Sequence, residues 1–210
     1  MINYGYINSG EDSRDIILDD YINQQTKSLT LPDEYDFTEF LNIYCKDQKN
    51  EPHCVPYSIG LSIETRKKLN GINDFWIDTD DIFSHYGNEN GMMIRDALKY
   101  IKNIGYKCKN SDNREQILSY GKLHSFLAVK QSVYINGPCI IGLPVRNEFA
   151  NDFWNGSDLL GGHAIACVGW TTDSFILMNS WGSSFGFNGK CYIPFDEFNN
   201  NVLECWTFIS

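Results

Sequence analysis

The chain changes character near Ser111, and that change limits what it can fold into. Upstream, apolar residues recur at helical spacing; downstream, short apolar and β-branched runs alternate with turn residues. Val55, Ile59 and Ile63, with Leu61 and Leu69, follow the helical period, Glu64 and Lys68 can pair across one turn, and Gly71 is a natural stop. This predicts a helix from about Cys54 to Leu69. A second helix is predicted where Asn90 can cap a face made by Ile94, Ala97, Leu98, Ile101 and Ile104, ending at Gly105. Beyond residue 111, short helices at 114–119 and 125–134 lead to Asn136-Gly137-Pro138. Strands are then expected at Cys139–Val145, 163–170, 175–179, Lys190–Pro194 and 205–209, with a tight turn at 171–174. Residues 1–44 read as polar, extended, surface-hugging chain with room for one strand. The stretch 71–90, with Asp78, Asp80 and Asp81, reads as loop. Helices first and antiparallel strands second argue for an α+β protein of two lobes, with a cleft between them as the natural place for a site.

Composition narrows the function. With 42% hydrophobic and 21% charged positions the 210 residues can bury a core as one globular unit. Seventeen Lys and Arg against 27 Asp and Glu leave a net charge of −10, which repels phosphate backbones and anionic membrane surfaces, so neither nucleic acid nor membrane is an expected partner. Apolar runs such as Cys139–Ile141, with Leu143 nearby, are far short of the roughly 20 residues that span a bilayer. Residues 1–20 hold five acidic side chains and no apolar core of a signal peptide, which implies a reducing compartment: the cytoplasm, or a virus-encoded protein acting in host cytosol or packaged in a virion. The seven cysteines are an odd set without close C-x-x-C spacing, against a disulfide scaffold or a structural zinc. Most are then small buried hydrophobes, and the question is whether one differs.

Cys54 opens the first predicted helix, where unpaired N–H groups and the positive dipole end stabilise a thiolate; Pro56 fits the first turn, where a missing N–H costs nothing. His163 follows Gly161-Gly162 at the start of a strand, so little side-chain bulk stands in front of its ring. Asn179 ends the next strand, sixteen residues on, where its amide can reach the other ring nitrogen and fix the tautomer. A nucleophile, a base and an orienting group are the parts that covalent acyl transfer needs.

Asp47-Gln48 six residues before Cys54, Gly162-His163-Ala164 opening a strand and Asn179-Ser180-Trp181-Gly182 ending the next together resemble a papain-like cysteine peptidase of clan CA, family C1. The chain is most similar to the short bacterial and viral members. The similarity runs from Tyr4-Gly5-Tyr6 and Ser13-Arg14-Asp15 through Gly91 and Ile94-Arg95-Asp96-Ala97-Leu98 and Gly142-Leu143-Pro144-Val145 to Tyr192-Ile193-Pro194 and Trp206-Thr207. It implies a two-lobe papain-like fold, with a helical lobe at about 45–118, an antiparallel β-barrel-like lobe at about 119–210, the site in the cleft and residues 1–44 packed on the lobes. It implies Cys54 as thiolate nucleophile, His163 as its imidazolium partner and general acid, Asn179 as the group orienting His163, Gln48 as an oxyanion donor beside the Cys54 N–H, and Trp181 as a shield over the Asn179–His163 bond. For substrate it implies Gly91 and Gly162 along the cleft, with Met92 and Ala164 on the pocket for the residue two before the cleaved bond and Met93 beside them as packing. The partner is then a peptide or protein substrate, the chain a monomer, and neither metal nor other cofactor is called for. Thiol alkylation is expected to reach Cys54 first.

The sequence departs from the family pattern at Pro52-His53 before the nucleophile, Val55 after it, Phe185 in place of a later tryptophan, and Glu51 where secreted relatives have a disulfide partner. Pro52-His53 and Met92 keep open a papain-like binding module without catalysis, and the resemblance to the wider clan keeps open a thiol acyltransferase or deamidase on the same fold. His53 is expected at the cleft rim or facing solvent, His85 and His124 at the surface or in packing, and the acidic run 78–81 as a solvated loop. No glycine-rich phosphate loop occurs.

Overall fold

The computed structural model describes residues 4–109, 111–148 and 150–210. The chain opens with strand β1 (Tyr6–Ile7), helix α1 (Asp19–Thr26), strand β2 (Tyr35–Asp36) and a single helical turn, α2 (Phe37–Phe40). The lead-in therefore holds more structure than its polarity suggested. Helix α1 has two large apolar side chains, Ile22, which is fully buried, and Tyr21, which is exposed, and Asp19 in its first turn takes the backbone N–H groups of His124 and Ser125 at 2.9 and 2.7 Å. A few specific anchors replace the apolar face that pattern reading looks for.

Helix α3 (Cys54–Leu69) has the predicted bounds and is buried on nearly all sides along its first three turns. Its polar residues are tolerated there because Ser58, Ser62 and Thr65 each return a hydroxyl to the carbonyl four residues back, at 2.8, 2.9 and 2.8 Å. Helix α4 (Thr79–Tyr86) stands where a loop was expected. The acidic run is its N-terminus: Asp78 caps it through the Asp81 N–H at 3.2 Å, and Asp81 is clasped by Arg114. Strand β3 (Met92–Met93) leads into α5 (Ile94–Asn103), whose buried face of Ile94, Ala97, Leu98 and Ile101 is the predicted one. Asn90 is not its cap but lies in the turn closed by reciprocal bonds between Asn88 and Gly91, and Ile104 falls past the helix end, half exposed.

The helix expected at 114–119 is replaced by strands β4 (Tyr106–Cys108) and β5 (Ser111–Glu115), which pair with each other, followed by β6 (Ser119–Lys122). Residues 114–119 lack a continuous apolar face, since Ile117 is buried and Leu118 exposed, while Arg114 is held by Asp81. Helix α6 (Phe126–Asn136) is capped by Ser125 and ended by Gly137 at φ 87°. Strands β7 (Cys139–Val145), β8 (Gly161–Trp170), β9 (Ser174–Met178) and β10 (Lys190–Pro194), helix α7 (Phe195–Asn201) and strand β11 (Glu204–Ile209) complete the fold. The turn expected at 171–174 is present, closed by Thr171 N–H to Ser174 O at 2.8 Å.

The main sheet runs β10-β9-β8-β7-β11-β6, all antiparallel, with β2 added beside β8. It is an open sheet whose ends are β10 and β6, so the barrel-like lobe expected from the resemblance is not closed. Every residue of β7 is buried because the sheet is covered on both faces, which explains its unbroken apolar run. Cys139, Ile141, Leu143 and Val145 face one core with α1 and α6, whereas Ile140, with Ala164, Trp206 and Phe208 from neighbouring strands, faces the core of α3 and α5. The second core sets the N-terminus of α3 against the start of β8, where Ser58 Oγ lies 2.8 Å from Cys54 O and 2.9 Å from Ala164 O. Among the described residues no helix is long and apolar enough to cross a membrane.

Candidate active site

Cys54 is the first residue of α3 and His163 the third of β8, one residue before Ala164. The Ala164 N–H donates to Cys54 Sγ at 3.3 Å, which ties the helix start to the strand. Cys54 is fully buried. Burial pushes its thiol up to about 12; the N–H groups of Ala164, Gly5, Val55 and Cys54 itself pull the other way without prevailing.

His163 is equally buried, and burial brings it down to about 4 against the opposing hydrogen bond from Asn179. Its Nε2 lies 2.7 Å from Asn179 Oδ1. The same Oδ1 accepts the Ser180 backbone N–H at 2.7 Å, so the amide can present only its oxygen to the ring. Nε2 therefore carries the proton and Nδ1 is a bare lone pair, buried and without a hydrogen-bond partner. Burial thus favours the neutral thiol and the neutral imidazole. Both shifts run against the thiolate–imidazolium pair expected from the sequence.

Trp181 lies over the ring with centroids 4.5 Å apart, and Phe153 meets it edge-on at 5.6 Å. Phe185 packs edge-on against Trp181 at 5.1 Å. Gln48 is buried and locked: Ser180 Oγ donates to its Oε1 at 2.6 Å, and its Nε2 donates to Glu51 O at 2.8 Å. Backbone bonds from Gln48 N to Ser180 O and from Gly182 N to Lys46 O, at 2.8 and 3.0 Å, bind the two loops into one unit. Residues remote in sequence, Gln48, Cys54, His163, Asn179 and Trp181, thus share one locality.

The cleft beside them is filled by the chain's own residues 4–6. Gly5 lies over the sulfur, its N–H turned to Cys54 Sγ and its carbonyl accepting the Met92 N–H at 2.8 Å. Strand β1 pairs in parallel with β3, Tyr6 opposite Met92. The contact is so close that only glycines permit it: a Cβ on Gly91 would stand 2.1 Å from Gly5 O, one on Gly162 2.6 Å from Tyr6 O, and one on Gly5 2.0 Å from Pro52 O. The Tyr6 ring lies against Gly142 and Gly162, in the same buried cluster as Met92 and Ala164. Tyr4 lies against Gly161 and points its hydroxyl at Glu148.

Gly91, Met92 and Gly162, expected along the substrate cleft, lie against residues 5 and 6 of the chain itself, and Ala164 shares a buried cluster with Tyr6. Met93 is only half buried. Cys54, on which alkylation is expected first, is buried in the form described, whereas Cys45 and Cys108 are partly exposed. His53 is partly exposed: its ring lies 3.9 Å from that of Phe83, and its Nδ1 is 3.3 Å from Asp80. Sequence reading passed over Phe153 and Glu204, and gave no role of their own to Ser180, Gly5 and Tyr6. For the last two the glycines at 91, 142 and 162 were a signal, since they mark where another backbone or ring comes close.

The family model for papain family cysteine proteases matches residues 75–205, which takes in His163 and Asn179 but begins after Gln48 and Cys54. A search of curated sequences gives no significant match. Among solved structures, xylellain, a cysteine protease from Xylella fastidiosa, is similar at TM-score 0.83 and 20% identity, covering 100% of this chain and 96% of that one. Procathepsin B S9 from Trypanosoma congolense is similar at TM-score 0.81 and 16% identity, covering 99% and 86%. The digestive procathepsin L2 of Tenebrio molitor larval midgut is similar at TM-score 0.80 and 16% identity, covering 100% and 78%. At such identities the structures speak for the fold alone.

Proposed function

The chain belongs to the papain family of cysteine proteases, and from that premise we propose that it hydrolyses peptide bonds in peptide or protein substrates through an acyl-enzyme on Cys54. The observation that carries this reading is the fixed tautomer of His163, next in the chain to Ala164, whose N–H meets Cys54 Sγ at 3.3 Å: with Nε2–H held by Asn179, Nδ1 is left as a bare base.

In the reaction, His163 Nδ1 takes the thiol proton as Cys54 Sγ bonds to the substrate carbonyl carbon. The oxyanion meets the Cys54 N–H and, from its locked side chain, Gln48 Nε2. Collapse breaks the C–N bond, and the leaving amine takes the proton from His163. Water then adds to the thioester while His163 removes its proton, and collapse releases the acid and restores the thiol. Trp181 and Phe153 keep water from the His163–Asn179 bond throughout.

In the form described the enzyme is latent. Gly5 presents an N–H to the sulfur, while its own carbonyl is engaged by Met92. The occupying segment therefore blocks the site without offering Gly5 as a substrate. Once residues 4–6 lift away, both catalytic groups gain water and the ion pair becomes accessible.

Turnover of a peptide library by the full chain, compared with Cys54→Ala, tests the reading. Products with water added across the backbone, absent from the variant, are expected. Equal products from both proteins would overturn it and favour the binding module, and a mass change of about one unit on a side chain would point to deamidation.

A further inference from the structure

Two parts of the lead-in are held in different ways. Residues 4–6 lie in the cleft with the Gly5 carbonyl on the Met92 N–H, but the Tyr6 hydroxyl is buried without a hydrogen-bond partner, as is Glu204 Oε2. Each such atom costs free energy that water returns once the segment lifts. Asn8, two residues on, is exposed. From Ser9 the anchors are charged and converge. Glu204 Oε1 accepts the backbone N–H and the hydroxyl of Ser9 at 3.2 and 2.9 Å, and the Ser9 carbonyl accepts Arg95 Nη1. Arg95 grips Asp15 with two bonds, Nε to Oδ1 at 2.7 Å and Nη2 to Oδ2 at 2.6 Å, and gives another to Gly10 O at 2.7 Å. Lys122 Nζ reaches the same Gly10 O at 3.0 Å and Asp15 Oδ2 at 3.1 Å, and its backbone exchanges bonds with Ile16 O and the Leu18 N–H at 2.8 and 2.9 Å. The side chains of Asp15 and Lys122 are only 7% and 5% exposed.

We propose that Arg95, Lys122 and Glu204 form a clasp that keeps the chain from Ser9 onward in place in the open enzyme, so that the site is uncovered by reversible displacement of residues 4–8 and not by loss of the lead-in. The inference rests on the peptidase reading, which makes this cleft the site that has to open. Loss of the stretch 9–44 would take β2 from the sheet, Ile22 and Phe37 from the core, and the Asp19 carboxylate from the backbone of His124 and Ser125. It would also leave Arg95 and Lys122 without Asp15, and parting a buried pair costs far more than parting an exposed one. Displacing residues 4–8 breaks none of these contacts and hydrates two orphaned polar atoms. Because Tyr6 stays three residues from the anchored Ser9, the segment keeps a high local concentration at the cleft, and substrate must compete with it.

Hydrogen exchange on the full chain, before and after iodoacetamide has alkylated Cys54, tests the boundary without requiring turnover. The adduct takes the space over the sulfur where Gly5 lies. Exchange at residues 5–8 and at the Met92 amide is expected to rise by about tenfold or more, while the amides of Ser9, Leu18 and Ile22 stay within about twofold. Equal acceleration across residues 5–22 overturns the clasp, as does an active species whose intact mass shows residues beyond Ser9 removed. Asp15→Asn supplies a second arm. By loosening the clasp it is expected to raise Cys54 labelling by about tenfold in the parent. It is expected to leave labelling unchanged in Gly5→Val, whose side chain would meet the Pro52 carbonyl oxygen at 2.0 Å and hold the segment out. No rise in the parent, or an equal rise in both backgrounds, overturns the proposal; should Asp15→Asn fail to fold, the exchange boundary decides alone. Each of these failures leaves the peptidase reading intact. The expected exchange boundary with no peptide turnover by Gly5→Val overturns the peptidase reading, and with it the claim that the clasp governs a protease.

Discussion

Asn179 Oδ1 lies 2.7 Å from His163 Nε2 while also accepting the Ser180 N–H, so one oxygen fixes both the tautomer and the plane of the imidazole. Deleting that amide leaves the ring free to turn about its own bond and Nε2–H unpaired in a dry site. Asn179→Ala is expected to lower kcat by about tenfold to a hundredfold, the rate equivalent of about 1–3 kcal/mol, with KM changed far less. Steady-state kinetics on one peptide give the answer, and a parent-like kcat would show that packing by Trp181 alone orients the ring.

Acid should loosen this form more than an ordinary histidine would allow. Burial lowers His163 from 6.5 to about 4, so between those values the unfolded chain binds a proton that the folded chain refuses. Stability present above about pH 6.5 is therefore lost as pH falls, by about 2.5 kcal/mol near pH 4.5. Urea unfolding at pH 7.5 and 4.5 measures it against His163→Gln, which keeps the hydrogen-bonding shape and cannot titrate there. The parent should lose more than the variant by roughly that amount; equal losses would mean that acid acts through the carboxylates.

The parts of the candidate site were legible because they depend on short-range pattern. A cysteine at a helix start, a histidine behind two glycines and an asparagine closing a strand are local features, and α3, β7 and β10 formed with the predicted bounds. Helix α4 was missed for the opposite reason: Asp78 and Asp81 read as solvated charge, yet one caps the helix and the other anchors it to Arg114, a partner outside any local window. The 114–119 error has the same root, since β5 exists through its pairing with β4. Least legible was the path of residues 4–6, whose polar, glycine-broken sequence carries no periodic signal. Their position follows from tertiary contacts with Gly91, Gly162 and Pro52.

Gly5 is where latency can be broken most simply. A side chain there would start 2.0 Å from the Pro52 carbonyl oxygen, a backbone atom that cannot swing aside. Gly5→Val should expel the segment without touching the catalytic groups, and the rate of iodoacetamide labelling at Cys54 should rise at least about tenfold, past those of the half-buried Cys45 and Cys108. Mass mapping of the labelled peptides reads all three thiols at once. Unchanged labelling at Cys54 would place the barrier elsewhere than in this segment.

Gln48 separates two kinds of chemistry at one sulfur. Alkylation by iodoacetamide forms no oxyanion, whereas acyl transfer does, so a donor aimed at the oxyanion affects only the second. The side chain is held by Ser180 Oγ at 2.6 Å and Glu51 O at 2.8 Å, and a residue with no amide cannot reproduce that placement. Gln48→Ala in the Gly5→Val background should therefore lower kcat by about 10²–10³, while Cys54 labelling at neutral pH stays near that of the Gly5→Val parent. If labelling falls in step with kcat, Gln48 acts by holding the loop that positions Cys54 and His163, and the oxyanion assignment fails. If neither changes, the Cys54 N–H carries the oxyanion without it.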